Sequence, residues 1–537
     1  MAATDERSTH PASALRMWRW FRQDFLGIFR EFRWSYLPPL MVYFAAGISA
    51  FTGIIETFFV KERLGLSTSF LAALGFWAGL PWALKMPIGH LVDLLWSRKA
   101  WFVYLGATLM AMSLLIMLGL TGYSEWMAGI LALNIWYIIA ALLSPIGFML
   151  QDVVADAMTV EAVPIFRSDG SAIPTEELQR MHVTMQTLGR IAIIGGSALV
   201  AGTGGWLAKV YSYATMYTIS LVIPVVSITG VMLGARMMRQ RLRQLRQQGF
   251  EEAQIRKMLQ PRQKAPSPNW YILGGSAIFV AVTLAVGLSH MARREESILI
   301  GSLGIIGFLM AQLLREIPPE KRREIVGIAI VVFIFRAMPT AGSGAGWWQI
   351  DVLGFDEAFF GTLRQISSIL VIIGMIALRD WMGRRSVPYI VAFLSVYGTL
   401  MSLPYIAMFY GFHDWTMQQF GFGARTIAII DTMADSPMGQ VAMVPMLAWI
   451  AKEAPQHQKA TYFAVMAAFT NLALSASSLA TKYVNEIFVI ERGQYEELGR
   501  LLISVTLVSL FIPIAAVVAV HLAQRHRPKG KVPGDGG

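Results

Sequence analysis

The sequence predicts an all-α polytopic membrane protein with about fourteen transmembrane helices. They form two six-helix bundles with a two-helix insertion between them. Only 15% of the 537 residues are charged and 55% are hydrophobic, whereas soluble domains are roughly 25% charged. The apolar residues arrive in runs of roughly 20, enough to cross about 30 Å of hydrocarbon as a helix. The runs are continuous rather than alternating, which excludes a β-barrel, and the two halves of the chain begin alike.

Residues 1–35 read as a cytoplasmic tail. Trp18, Phe21, Phe25, Phe29 and Phe32 recur every three to four positions, with Arg16, Arg19, Arg22, Arg30 and Arg33 interleaved. This is the pattern of an amphipathic helix lying on an anionic membrane face; an unstructured aromatic tail is the plainer alternative. The apolar run that follows is too long for a signal-peptide core. Spans at 36–60, 70–92, 100–120, 126–160, 181–208 and 213–235 make an N-terminal bundle, 36–235. A basic cytoplasmic loop, 236–269, leads to an extra hairpin, 270–323, with spans 270–289 and 298–314. The C-terminal bundle, 324–522, holds spans 324–345, 357–379, 387–410, 424–452, 460–489 and 498–522, and 523–537 is a second cytoplasmic tail.

Orientation follows from the basic residues. With both termini cytoplasmic, 30 Lys and Arg fall in cytoplasmic segments, 6 in external ones and 9 within spans, the bias that sets topology in a plasma (bacterial inner) membrane. The same placement explains the net charge of +11 without nucleic acid as a partner. The absence of cysteine excludes disulfides, thiolate metal sites and a cysteine nucleophile. The eight His are scattered and no phosphate-binding glycine loop precedes a Lys and Ser/Thr. No enzymatic activity, metal or cofactor is expected.

The internal repeat is specific. Leu64-Gly65-Leu66 is followed by Phe70, and Leu353-Gly354-Phe355 by Phe359. Each precedes a span ending in an aspartate and a basic pair: Asp93 with Arg98 and Lys99, then Asp380 with Arg384 and Arg385. Parallel repeats of this kind build the major facilitator fold, with the solute site between the halves near the midplane. The aspartate and basic residues are candidate gate latches; ordinary positive-inside anchoring is the competing explanation.

An ionisable side chain within a span needs a partner or a water-filled cavity. The candidates are Lys85, between Pro81 and Pro87; Asp152 and Asp156; Arg190; Arg336; Arg364; Asp431 and Asp435; and Lys482. Arg425, near an external end, fits snorkelling. Both aspartate pairs read Asp-x-x-Ala-Asp and each shares one helical face. Stacked carboxylates repel, which suits proton coupling; ion pairs with buried Lys or Arg are the structural alternative. If the fourth span runs unbroken, the two pairs lie at different depths; a break at Pro145 would change that. The buried basic residues suit an anionic solute, since Arg can hold a carboxylate bidentately.

The chain resembles the folate–biopterin transporters of the major facilitator superfamily in three stretches. They are Pro81-Trp82-Ala83-Leu84-Lys85-Met86-Pro87-Ile88-Gly89 leading to Asp93; Gln151-Asp152-Val153-Val154-Ala155-Asp156-Ala157 with Glu161; and Asp431 through Gln440-Val441-Ala442 and Pro445 to Lys452, continuing to Asn471. The resemblance implies proton-coupled uptake of folate, pterin or a related organic anion by alternating access. It also implies that Lys85, Asp152, Asp156, Asp431 and Gln440 are site positions. The pair of spans at 270–314 exceeds the twelve usual for that family. Other solutes, such as a muropeptide or an acyl-CoA, and a non-transporting membrane scaffold remain open.

Overall fold

The computed structural model describes residues 31–525 except 168–170, 260–267, 269, 290, 292, 440, 442, 444–445 and 447–458. Ten helices among the described residues are long and apolar enough to cross a membrane. The N-terminal block comprises α1 (Trp34–Leu64), α2 (Thr68–Leu94), α3 (Ala100–Gly122), α4 (Leu133–Ala162), α5 (Thr175–Val210) and α6 (Tyr213–Gln247). A short helix, α7 (Glu252–Leu259), precedes the inserted hairpin α8 (Trp270–Leu288) and α9 (Arg294–Leu313). The C-terminal block comprises α10 (Pro319–Arg336), α11 (Glu357–Ala377), α12 (Val387–Phe409), α13 (Ala424–Asp435), α14 (Lys459–Ile487) and α15 (Leu498–Arg525).

Several expected elements differ in detail. The amphipathic helix of the 1–35 tail lies almost wholly outside the described residues. The basic segment after 236 is helical at its start, because α6 runs on to Gln247 and α7 folds back on it through Leu245, Ile255 and Met258. The ninth expected span is interrupted: α10 stops at Arg336, and the chain re-enters a helix at Ser343–Asp351 after Gly342, whose φ of 72° suits only glycine well. The twelfth is α13 followed by a 3₁₀ turn, Ser436–Met438, with most of the remainder outside the described residues. Pro145 does not break α4.

The repeat is visible in the backbone. Gly65 and Gly354 are both left-handed, at φ 65° and 63°. Two residues later Ser67 and Asp356 each cap a helix, accepting hydrogen bonds from the backbone N–H of Phe70 (3.2 Å) and Phe359 (2.8 Å). A side-chain oxygen there satisfies one of the orphan donors of the first turn. Both blocks thus enter their second span through the same turn and cap.

The blocks meet along two seams, α2 against α14 and α5 against α11. Small residues let the backbones approach. A Cβ on Gly361 would stand 2.6 Å from the Ala201 carbonyl oxygen and 3.1 Å from the Gly205 Cα, the close approach that small-residue seams provide in lipid. The hairpin packs on the first seam through α9 against α14 and α8 against the second half of α2.

Candidate solute pathway

α2 is interrupted at Leu84, where helix Thr68–Ala83 ends and Lys85–Leu94 begins. The cause is local: Pro81 and Pro87 lack the N–H that an unbroken ladder requires. Lys85 is the first residue after the break, on a helix joined by short turns rather than a regular ladder.

Its ammonium reaches α4. Lys85 Nζ lies 2.5 Å from Asp152 Oδ2 and 2.8 Å from Asp156 Oδ2. Asp156 also accepts a hydrogen bond from the Tyr43 hydroxyl of α1 at 2.5 Å. One lysine therefore holds together the two carboxylates that the four-residue spacing puts on one face. Asp152 is the more enclosed, its side chain 20% exposed against 45% for Asp156. Arg190 of α5, itself exposed, stands within electrostatic range of Asp152 and Tyr43. The N-terminal block thus gathers Lys85, Asp152, Asp156 and Arg190 into one site, with Tyr43 as a partner the sequence did not single out.

The remaining candidates are not gathered there. Asp431 and Asp435 sit on α13 beside Tyr397 and Tyr405. Asp431 Oδ1 is buried without a hydrogen-bond partner among the described residues. Asp152 is about 28 Å along α4 and Asp431 about 10 Å along α13 at 1.5 Å per residue. The shared Asp-x-x-Ala-Asp spelling therefore does not mark equivalent depths. Arg336 ends α10 at the interruption of its span, and its Nε is likewise buried and unpartnered among the described residues. Lys482 meets the hairpin rather than the α4 carboxylates. Gln440 lies outside the described residues.

Glu56 is an intramembrane carboxylate that the sequence reading missed. It lies on α1, accepts a hydrogen bond from Tyr137 of α4 at 3.0 Å, and is within electrostatic range of Arg364 on α11. The Arg364 guanidinium lies against Gly53, where a Cβ would be 2.9 Å from Nη1. Glu56 and Arg364 therefore face each other from opposite blocks. The signal was available, an unpaired acid in an apolar run, but no sequence spacing links residues 56 and 364.

Of the candidate latches, Lys99 pairs with Glu161 at the end of α4 and lies over the Trp96 ring, 4.1 Å from its centroid. Arg385 stacks on Tyr389 at 5.0 Å, and Arg384 is exposed beside it. Arg98 is exposed, and Asp93 and Asp380 lie near the ends of the spans that carry them. Bonds between the blocks occur at the opposite end, which the sequence reading did not anticipate. Lys61 pairs with Asp351, which also accepts from the Tyr495 hydroxyl. Arg492 donates to the Val60 carbonyl at 2.9 Å. Lys209 meets Asp356 at 2.8 Å, and Tyr213 donates to Glu357 at 2.8 Å. Arg425 donates to the Gly354 carbonyl at 3.0 Å and lies 3.5 Å from Asp356, so it is bonded rather than merely snorkelling. Burial opposes the charge on Asp356, but Lys209, the Phe359 N–H and Arg425 outweigh it and hold the carboxyl below its usual range. Burial and the bond to Asp351 push the Tyr495 hydroxyl up to about 12, so it stays a donor.

The model of the BT1 family matches residues 46–530. The chain belongs to the BT1 family. It is similar to a folate-biopterin transporter of Synechocystis sp. (strain ATCC 27184 / PCC 6803 / Kazusa), 21% identical over 490 residues, covering 90% of this chain and 80% of the relative. Its fold is that of two solved structures. One is the peptide transporter POT in complex with sulfate, with a TM-score of 0.58 at 16% identity, covering 91% of this chain and 94% of that one. The other is a POT family transporter in complex with 5-aminolevulinic acid, with a TM-score of 0.62 at 12% identity, covering 91% and 95%. This BT1 family member is an integral membrane transporter, not an enzyme.

Proposed function

We propose that this BT1 family member moves folate, a pterin or a related organic anion across the plasma (bacterial inner) membrane by proton-coupled alternating access, with both termini cytoplasmic. The observation that carries the reading is Lys85 held between Asp152 and Asp156 at the interruption of α2. The substrate class rests on the similar folate-biopterin transporter. A proton taken up by the Asp152–Asp156 pair leaves Lys85 with one charged carboxylate instead of two. A carboxylate of the solute then takes the vacated place on the ammonium, with Arg190 beside it as a second donor. On proton release the pair competes for Lys85 again and the solute is displaced. Glu56 and Arg364, facing each other across the blocks, give the cycle a second pair whose separation changes as the blocks rock. The Lys61–Asp351 and Lys209–Asp356 contacts close one end and must break for the other state to form. A scaffold would favour a fully paired interior, whereas Arg336 Nε and Asp431 Oδ1 are buried without partners among the described residues.

The test is uptake of labelled folate and of a simple pterin into proteoliposomes, with and without an inward proton gradient, for the wild type, Asp152→Asn and Asp431→Asn. Uptake and pH dependence unchanged in both variants would overturn coupling through these aspartates.

A further inference from the structure

The inserted hairpin carries a buried acid that the pathway does not use. Glu295 opens α9 and is only 5% exposed. One carboxylate oxygen accepts from the indole N–H of Trp77 on α2 at 3.2 Å, and the other lies 3.4 Å from Lys482 Nζ on α14. The first oxygen also meets Arg294 Nε at 3.1 Å, and Arg294 stands 5.8 Å from the Trp77 ring centroid. Gly287, at the end of α8, lies flat against the Trp77 ring, leaving 2.9 Å where a Cβ would be. Phe76, Leu80, Phe279, Ile298 and Leu479 close an apolar shell around this point. Trp77 belongs to the N-terminal block and Lys482 to the C-terminal block. A single carboxylate of the hairpin therefore bridges the α2–α14 seam. Trp77 is about 13 Å along α2 from Thr68 at 1.5 Å per residue, so the bridge lies below the end of the seam.

We infer that Glu295 is a positioning residue of the transport cycle. Through Trp77 and Lys482 the hairpin clamps the α2–α14 seam and favours the state in which the Lys61–Asp351 end is closed. The clamp rests on the alternating-access reading, since a seam that never moves needs no governor. The carboxylate reaches both blocks only while α2 and α14 keep their present separation. Any rocking that parts them costs one of the two bonds, and Glu295 thereby biases the equilibrium without touching solute. The same geometry assigns Lys482 a role away from the solute, because its ammonium is already held by Glu295 and lies 3.9 Å from Glu486.

The chain has no cysteine, so spin labels can be placed without background. Arg63→Cys and Val352→Cys lie on exposed positions of opposite blocks beside the closed end. Double electron–electron resonance on the full-length protein in nanodiscs would give the distance distribution for the wild type, Glu295→Gln and Trp77→Phe, with and without folate. Trp77→Phe keeps an aromatic ring in the apolar shell but removes the indole donor and part of the packing on Gly287, so it tests the clamp if Glu295→Gln folds poorly. The expected result is two populations in the wild type, with the open one raised about tenfold or more in Glu295→Gln and raised less in Trp77→Phe. Two wild-type populations left unchanged by both variants would overturn the clamp and spare alternating access. One fixed distance under every condition would overturn the transport reading and the clamp with it. A purely structural role would lower the melting temperature of Glu295→Gln while leaving the ratio of populations where it was, and that too would overturn the proposal.

Discussion

Replacing Lys85 by Met keeps the stem of the side chain and deletes the charge that holds Asp152 and Asp156 together. At an effective dielectric near 20, two unit charges about 3 Å apart attract by roughly 5 kcal/mol, and Lys85 makes two such contacts. Desolvation offsets most of that, and deleting one partner of a buried pair costs about 3–5 kcal/mol. The side chains of Lys85, Asp152 and Asp156 are 27%, 20% and 45% exposed, so water recovers part of the loss. A cost of about 2–3 kcal/mol follows, or about 30- to 150-fold in the population of the competent state. The expected outcome is uptake reduced by at least that factor and a lower unfolding temperature in detergent. The double variant Lys85→Met/Asp152→Asn removes the more enclosed of the two carboxylates left unpaired and should recover part of the stability but none of the uptake. Lys85→Met with wild-type uptake and wild-type melting would refute the reasoning, since it would mean that the carboxylates do not depend on this ammonium.

Three further outcomes follow from the same geometry. Glu56→Gln keeps the bond to Tyr137 but cannot release a proton; counterflow of solute should persist while gradient-driven accumulation is lost, and retained accumulation would remove Glu56 from the coupling. Gly361→Val forces atoms into the α5–α11 seam beside Ala201 and Gly205; overpacking of about 1–3 kcal/mol should lower the melting temperature and abolish uptake, whereas a variant matching wild type in both would mean the seam is loose. The depressed carboxyl of Asp356 keeps its stabilising charge above the ordinary carboxylate value and loses it only as pH falls through the lowered one. Thiol labelling of Val352→Cys, divided at each pH by that of the unfolded chain to remove the titration of the thiol itself, should therefore be flat between about pH 5 and 8 in an otherwise wild-type chain and raised throughout in Asp356→Asn; a rise confined to mild acid would show that this latch titrates where it should not.

Much of the architecture was legible because membrane folds write themselves in runs of apolar residues and in repeated turns. Leu64-Gly65-Leu66 and Leu353-Gly354-Phe355 marked the repeat, and the two glycines adopt the same left-handed conformation. The hairpin was legible as two further apolar runs, 270–289 and 298–314, between the blocks. Lys85, Asp152 and Asp156 were legible as isolated charges in apolar helices, and the structure joins them. What was not legible depends on contacts between distant segments. Glu56 faces Arg364, Lys61 meets Asp351, and Trp77 and Lys482 share Glu295, each pairing set by how the blocks dock. The two Asp-x-x-Ala-Asp motifs lie at different depths, as an unbroken fourth span requires: a local spelling fixes a helical face but not a depth in the membrane.

The measurement that bears most directly on the central claim is accumulation of labelled folate and of a simple pterin by purified protein in proteoliposomes, with an inward proton gradient imposed or absent. Uptake of either above equilibrium, driven by the gradient and lost in Asp152→Asn, is the result predicted. Folded, inserted protein that accumulates neither solute under any gradient would contradict it.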